Sequence, residues 1–162
     1  MDYLWSPWRF RYVSQADSGG CVFCQAASEN DDERTYIVHR GQRNYIVLNL
    51  FPYTTGHLMI VPYRHFGALE QGEPSELGEM MELSRRAAAA LSRIYLPDGL
   101  NLGMNIGKAA GAGVAGHLHM HVLPRWQADA NFLSVVGETR VLPEELPVTW
   151  EKLRRELDAG GC

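Results

Sequence analysis

His117-Leu118-His119-Met120-His121-Val122-Leu123 alternates imidazole side chains with apolar ones. Side chains of a β-strand point alternately to the two faces of the sheet, so this heptapeptide predicts a strand with its histidines on one face and its apolar residues in the core. The rise per residue then places successive imidazoles roughly 6.6 to 7 Å apart. Three adjacent imidazoles are costly to protonate together, so most of them are expected to be neutral or bound. A solvent-facing polar stripe and a metal-binding row are the plain interpretations, but the rarity of the pattern favours catalysis.

The segments around the heptapeptide predict a mixed fold. Short runs rich in Val, Ile and Tyr predict strands near residues 35–39, 44–50, 57–62, 100–106 and 117–123. Their short connections favour antiparallel pairing. Residues 74–95 repeat apolar side chains every three or four positions, which predicts one long helix, and a last helix is expected over 143–158, before a tail to residue 162. The fold class is therefore α+β, a mostly antiparallel sheet with one long central helix and a C-terminal helix.

The composition is that of an ordinary globular chain, with 46% hydrophobic and 21% charged residues in a total of 162. This length predicts one domain over 1–162, in which residues 1–20 form an N-terminal arm. No run approaches the roughly 20 apolar residues of a membrane span, and the first residues lack a signal-peptide pattern, so a cytoplasmic protein without a membrane partner is expected. The formal charge of −4 disfavours nucleic acid as a partner but not a small anionic ligand.

Residues 117–123 resemble the signature of the histidine triad (HIT) family of nucleotide hydrolases and transferases. The resemblance extends from about Cys21 to about Phe132 and implies a HIT-like fold. Residues 5–9, and residues 124–126 together with 129–132, resemble segments of the bacterial branch related to dinucleoside-tetraphosphate phosphorylases, the ATP adenylyltransferases. That branch implies a homodimer. It also implies a purine nucleotide or a dinucleoside polyphosphate, such as diadenosine tetraphosphate, as the substrate.

The resemblance assigns chemistry to two of the three histidines. It implies that His119 attacks the α-phosphorus of a nucleotide and forms a nucleotidyl-histidine intermediate. It implies that His121 contacts the phosphate oxygens or the leaving group as a hydrogen-bond donor. The attack needs a neutral imidazole whose second nitrogen donates to a fixed acceptor, because this aims the attacking lone pair. Water, or inorganic phosphate in a phosphorylase, would then release the nucleotide.

The resemblance also implies a nucleotide site. Asn49 stands where the family has its ribose-binding Asn or Asp, and Asn105 matches a polar residue that faces the phosphates. His57 matches a histidine that family members carry in this segment. The backbone N–H groups of residues 107–114, including those of Gly113 and Val114, are expected to hold phosphate oxygens, since glycines let the backbone approach closely.

One departure from the family concerns this loop. The family often has a Gln and a hydroxyl-bearing residue before the triad, whereas residues 112–117 here read Ala-Gly-Val-Ala-Gly-His. Two side-chain donors are therefore missing, and the resemblance does not settle whether water or phosphate is the acceptor. Lys108 and Arg125 are candidates for compensating positive charge, although each is by default a solvated surface residue.

Cys21-Val22-Phe23-Cys24 has the two-residue spacing of a zinc knuckle, in which two thiolates reach one ion. His65 and His117 are the candidates for the remaining ligands. This set matches the zinc-bearing branch of the HIT family, in which the first triad histidine ligates the metal. Four protein ligands leave no open position, so the zinc is expected to be structural. A redox Cys-x-x-Cys pair and two small core residues without metal are the competing interpretations.

The sequence thus predicts an enzyme, a nucleotide hydrolase or transferase that acts at an α-phosphate. A nucleoside phosphoramidase or simple hydrolase of the same fold is the first alternative. A non-catalytic module that binds a nucleotide or a partner is the second, and a zinc-binding structural domain with all three triad histidines near the metal is the third. The intact His119 beside a glycine-rich loop favours the enzyme.

Overall fold

The computed structural model of the chain describes residues 20–127, 129 and 142–159. Its helices and strands, in chain order, are α1 (Val22–Ser28), α2 (Asp32–Thr35), β1 (Ile37–Arg40), β2 (Asn44–Leu48), β3 (Leu58–Pro62), α3 (Pro74–Tyr95), β4 (Gly99–Met104), β5 (Met120–Arg125) and α4 (Leu146–Ala159). The five strands form one antiparallel sheet in the order β1-β2-β3-β5-β4. The predicted α+β class and antiparallel sheet are confirmed.

The long helix α3 occupies the same residues, 74–95, that the sequence predicts. Pro74 lies in the first turn, where its missing N–H costs no hydrogen bond. The Glu76 carboxylate accepts a hydrogen bond from the Glu73 N–H at 2.9 Å, which satisfies a donor just before the helix. One face of the helix packs on the sheet through small and aliphatic side chains: Met80, Leu83, Ala87, Ala90 and Leu91.

Two apolar clusters lie on opposite faces of the sheet, one on each side of the segment that carries the triad histidines. Leu118, Met120 and Val122 belong to the larger cluster, beside the buried face of α3, as the predicted alternation requires. A smaller cluster lies on the histidine face and is formed by Phe23, Ile37, Tyr45, Val47, Met59 and Val61. Helix α1 contributes Phe23 to it, so the side chain of Phe23 covers part of the face on which the triad lies.

Strand β5 begins three residues later than the predicted start at residue 117. Extending the β3–β5 register beyond the Ile60–Met120 pair would bring Leu118 opposite Pro62, which has no N–H to donate. The Leu118 N–H instead donates to the Phe66 carbonyl at 2.6 Å. The segment that carries the first two triad histidines therefore precedes the strand, but its side chains keep the alternation between the two faces.

Other differences concern the ends of the chain and the short helices. Helices α1 and α2 escape sequence prediction because each is too short to show a periodic apolar pattern. Helix α4 begins at Leu146 rather than at residue 143, with Pro147 in its first turn. The predicted arm, apart from Gly20, and the tail beyond residue 159 lie outside the described residues. None of the described helices has the length and apolar composition of a membrane-spanning segment.

Candidate active site and metal site

Four predicted metal ligands from separate parts of the chain come together at the start of α1. Cys21 directly precedes that helix, Cys24 lies in its first turn, His65 follows β3, and His117 precedes β5. Cys21 Sγ lies 3.2 Å and Cys24 Sγ 3.6 Å from His117 Nδ1, and Cys24 Sγ lies 3.3 Å from His65 Nδ1. All four ligand atoms lie within 4.8 Å of one another. Two thiolates and two imidazoles are a donor set that suits tetrahedral zinc.

The second nitrogen of His117 supports the same interpretation. Its Nε2–H donates to the Pro62 carbonyl at 2.9 Å, so Nδ1 carries the lone pair and faces the cysteines. A ligating histidine commonly donates its other N–H to a backbone carbonyl, which fixes the ring orientation. A redox pair or two plain core cysteines would not need two histidines at this position.

The imidazole of His119 is buried, with 5% of the residue exposed, and its orientation is fixed. Its Nδ1–H donates to the His117 carbonyl at 2.8 Å. Nε2 therefore carries the lone pair in the neutral ring. Burial lowers the pKa of His119, although the hydrogen bond to the His117 carbonyl opposes this effect, so the ring is neutral near pH 7. The residue thus meets the requirement for a nitrogen nucleophile.

A chain of hydrogen bonds sets the opposite proton arrangement on His121. The Tyr53 N–H and the Asn49 amide Nδ2 both donate to His57 Nδ1, at 3.1 and 3.3 Å. His57 therefore holds its proton on Nε2, which donates to His121 Nδ1 at 2.9 Å. His121 must then hold its own proton on Nε2. The site contains one imidazole with a lone pair on Nε2 and one with a proton there.

Burial keeps this chain of imidazoles uncharged. It lowers the pKa of His57 to about 3, with His121 and His119 as additional causes. It lowers the pKa of His121 to about 4, with His119 as the additional cause. Neutral rings are required for the donor and acceptor pattern, because a protonated imidazole donates from both nitrogens.

The rings of His119 and His121 lie closer together than strand spacing predicts, and all three triad histidines are buried. The centroids of His119 and His121 are 4.8 Å apart in an edge-on arrangement, against the predicted 6.6 to 7 Å, because the rings lean towards each other. His117, His119 and His121 are between 1% and 7% exposed, which is incompatible with a solvent-facing stripe. Among the described residues, only His117 of the three joins the metal cluster, so the triad is not a metal-binding row.

The predicted nucleotide-binding residues surround this pair. Asn49 is buried, and its Oδ1 accepts the Phe51 N–H at 2.9 Å, leaving a second lone pair on the oxygen. Asn105 directly follows Met104, which pairs with Met120, and this places it at the same end of the sheet as His119. Gly113 and Val114 are half-buried in the loop that leads to His117, and Val114 packs against the smaller cluster.

The glycine-rich loop has a conformation that requires glycine, and the two residues proposed to supply positive charge near it have different surroundings. Gly107 and Gly111 adopt φ of 81° and 87°, which other residues rarely adopt, so the turn requires glycine. Lys108 is exposed in this turn. Arg125 donates to both Asp129 carboxylate oxygens, at 2.6 and 2.9 Å, and to Asn101, and these bonds engage the guanidinium that was a candidate for phosphate binding.

Two aromatic residues of the site were not predicted from the sequence. Tyr53 covers the hydrogen-bonded histidines, with its ring centroid 4.7 Å from that of His57 and 6.1 Å from that of His121. Phe23 packs on His119 with the centroids 5.0 Å apart. Tyr53 carries no motif in the sequence, whereas the position of Phe23 between the two cysteines was a usable signal.

Comparisons with known proteins agree with this geometry. The HIT domain family model matches residues 30–128. The chain is 38% identical over 162 residues to a protein of Mycobacterium tuberculosis named AP-4-A phosphorylase, with 94% of this chain and 83% of that protein covered.

Solved structures show the same fold. A Zn-bound histidine triad family protein from Mycobacterium smegmatis has a TM-score of 0.70 at 28% identity and covers 86% of this chain and 94% of its own. A hypothetical histidine triad nucleotide-binding protein from Sulfolobus tokodaii has a TM-score of 0.70 at 24% identity, covering 86% of this chain and 93% of its own. The zinc-bound neighbour and the four converging ligands confirm the prediction of zinc as the cofactor. The chain therefore belongs to the HIT domain family, and it is an enzyme of that family.

Proposed function

We propose that this chain transfers a nucleotidyl group from a dinucleoside polyphosphate, such as diadenosine tetraphosphate, to inorganic phosphate. His119 Nε2 attacks the α-phosphorus, and the bond from phosphorus to the bridging oxygen breaks and releases ATP. An oxygen of inorganic phosphate then attacks the nucleotidyl-histidine, breaks the N–P bond and forms ADP. One diadenosine tetraphosphate and one phosphate thus give one ATP and one ADP, which balances the atoms.

The observation that carries this proposal is the opposite proton placement on two adjacent rings. The lone pair on His119 Nε2 supplies the nucleophile. The proton on His121 Nε2, fixed by the bond from His57, supplies a donor for charge that develops on the phosphate oxygens or the leaving group. A binding module has no need of a buried neutral lone pair beside a buried donor.

The surrounding residues support binding of a nucleotide in front of the pair. Asn49 Oδ1 has a lone pair left for a ribose hydroxyl. Within the described residues, the backbone N–H groups of Gly113 and Val114 donate to no protein acceptor, and they are available for phosphate oxygens. Asn105 and Lys108 lie in the same part of the molecule and add a polar side chain and a positive charge. These backbone groups replace the side-chain donors that the loop lacks.

The similarity to a protein named AP-4-A phosphorylase favours phosphate over water as the acceptor. The zinc is proposed to be structural, held by Cys21, Cys24, His65 and His117, since four protein ligands leave no position for a substrate. The thiols it requires stay reduced in the cytoplasm, where we place the protein.

We infer that the enzyme is a homodimer that pairs through β4. This strand lies at one edge of the sheet and has no partner on its outer side within the described residues. Leu102 in this strand is 46% exposed and Ile106, two residues beyond its end, is 42% exposed, so apolar side chains are accessible along this edge. The opposite edge, β1, is covered by α2 and α4. An uncovered apolar edge invites pairing with a second strand.

Product analysis tests the proposed reaction. Purified protein is incubated with diadenosine tetraphosphate, with and without inorganic phosphate, and the nucleotides are separated. We expect ATP and ADP in equal amounts, formed only with phosphate. ATP and AMP without phosphate would instead indicate a hydrolase, and turnover of an adenosine phosphoramidate alone would indicate a phosphoramidase. If none of these nucleotides is turned over, the chain would be a non-catalytic nucleotide-binding module.

A further inference from the structure

The two residues between the zinc-site cysteines have opposite surroundings. Val22 is 48% exposed, whereas Phe23 is 7% exposed and belongs to the smaller apolar cluster. The spacing of the zinc-site cysteines requires two residues between them but does not depend on which residues these are. The burial of one of them against the triad is a separate feature.

Phe23 contacts two triad histidines directly. Its ring centroid lies 5.0 Å from that of His119 at an interplanar angle of 52°, and 5.5 Å from that of His117 at 84°. The Phe23 backbone is also held, since its carbonyl accepts the Tyr45 hydroxyl at 2.8 Å and Tyr45 is fully buried. The phenyl ring is therefore fixed at both the side chain and the main chain.

Two of the contacts that restrain the His119 imidazole lead back to the metal site. On one side, Nδ1–H donates to the carbonyl of His117, which is itself in the ligand cluster. On another side, the ring packs on Phe23, which lies between the two cysteines. The imidazole can turn only about its side-chain torsions, and such a rotation would break the hydrogen bond from Nδ1. The packed Phe23 ring opposes this rotation.

We propose that Phe23 is a positioning residue: the zinc-bound turn of α1 holds its ring against His119 and keeps Nε2 aimed at the α-phosphorus. This inference rests on the proposed function of His119. It gives the zinc site an effect on catalysis through packing, without any contact between metal and substrate. Misplacement of a reacting atom by about 1 Å costs on the order of 100-fold in rate, so a small rotation of the ring matters.

The test compares Phe23→Leu with Val22→Leu. Both variants place leucine between the same cysteines, but only the first removes the ring that contacts His119. Metal content is measured on each, and kinetics are recorded with diadenosine tetraphosphate and phosphate. We expect both variants to keep one zinc per chain. For Phe23→Leu, kcat should fall about 10- to 100-fold with KM within about twofold of the parent, and Val22→Leu should match the parent.

A second readout does not depend on activity. The ring ¹⁵N shifts of His119 report which nitrogen carries the proton, and in the parent they should show a proton on Nδ1 alone. In Phe23→Leu they should move towards the average of the two tautomers, because the freed ring no longer holds its bond to the His117 carbonyl. Removal of zinc from the parent with a chelator should produce the same change.

Three results would overturn the proposal. One is a zinc-loaded Phe23→Leu protein with parental kcat and parental ring shifts. Another is loss of zinc from Phe23→Leu, since Phe23 would then act by retaining the metal. The third is unchanged His119 shifts on zinc removal from a folded chain. If the parent protein turns over no nucleotide, the proposed function fails, but the ring shifts still decide whether Phe23 orients His119.

Discussion

Three buried histidines share one chemical structure, but His57 and His121 carry the proton on Nε2, whereas His119 carries it on Nδ1. Backbone groups cause this difference. The His117 carbonyl accepts a hydrogen bond from His119 Nδ1–H, and the Tyr53 N–H donates to His57 Nδ1. The hydrogen bond from His57 Nε2–H to His121 Nδ1 then fixes the tautomer of His121. Each ring is neutral because burial disfavours the charged form.

Removal of His57 tests this arrangement. In His57→Ala, His121 Nδ1 loses its donor, so the ring can take the other tautomer and present a lone pair where a proton is needed. We expect kcat to fall on the order of 100-fold with little change in KM. His57→Gln, whose amide can donate to His121, should retain most of the activity in the same steady-state assay. Activity of His57→Ala within about twofold of the parent would contradict the assignment.

The lowered pKa of His57 predicts a pH-dependent stability. The unfolded chain takes up a proton at this residue below about pH 6.5, whereas the folded chain, with a pKa of about 3, does not. The free energy of unfolding that depends on neutral His57 is therefore fully present above about pH 6.5. Below that pH it decreases as the pH falls, at about 1.4 kcal/mol per pH unit. The residue is 1% exposed, so solvent screening is small.

Urea unfolding of the parent and of His57→Gln at several pH values measures this contribution. The glutamine does not titrate, and changes at the zinc site affect both proteins equally. The stability of the parent relative to the variant should decrease by about 2 kcal/mol between about pH 7.5 and pH 5. A constant difference over that range would mean that His57 is not held neutral.

Much of the residue-level site could be predicted from sequence, and the rest depends on distant neighbours. The period-two spacing of the triad predicts a shared face, and the cysteine spacing predicts the metal cluster. The proton positions depend on Tyr53 and Asn49, which lie more than 60 residues before the triad, and the local sequence does not show that they donate to His57. The role of Phe23 depends on the packing of a helix that is too short to predict.

At the scale of elements, a single carboxylate joins α3 to the turn between β1 and β2. Glu79 accepts the backbone N–H groups of Gln42, Arg43 and Asn44 at 2.7 to 2.8 Å. It also accepts the Asn44 side-chain amide at 2.9 Å. Partial burial alone would raise the pKa of Glu79, but these hydrogen bonds hold it below the ordinary value. The carboxylate therefore anchors the turn to the helix.

Glu79→Gln should destabilise the protein by about 2 kcal/mol, because the amide nitrogen must face an N–H group that the carboxylate oxygen accepted. Glu82→Gln is the matched control on the same helix, since Glu82 is exposed and pairs only with exposed Arg85 among the described contacts. That change should stay within about 0.5 kcal/mol. Equal effects of the two substitutions in urea unfolding would refute the role of Glu79 as an anchor.

Elements differ in how far the sequence predicts them. The ends of α3 are predictable because its proline, its acidic first turn and its apolar period all agree. The start of β5 is not predictable, since it depends on Pro62 in β3. This proline has no N–H and cannot extend the hydrogen-bond ladder. Local sequence thus determines the helix, whereas the limit of the strand depends on its neighbour.

At the scale of the whole molecule, the two sheet edges differ, and this predicts the assembly. Leu102→Arg places a charge on the edge of β4, which no other described strand pairs with, and should convert the proposed dimer to a monomer. Val148→Arg is the matched control, because Val148 is 43% exposed on α4, which packs against the opposite edge. Sedimentation equilibrium distinguishes the two states. A dimer that persists in Leu102→Arg would place the interface elsewhere, and a monomeric parent would exclude it.

The account as a whole depends on covalent attachment of the nucleotide to His119. The direct measurement is rapid quenching of the enzyme with diadenosine tetraphosphate in the absence of phosphate, followed by intact-protein mass and peptide mapping. We predict one adenylyl group per chain, on the peptide that contains His119. It should disappear with formation of ADP when phosphate is added and should be absent from His119→Ala. Turnover without any adduct, or an adduct on another residue, would contradict the mechanism.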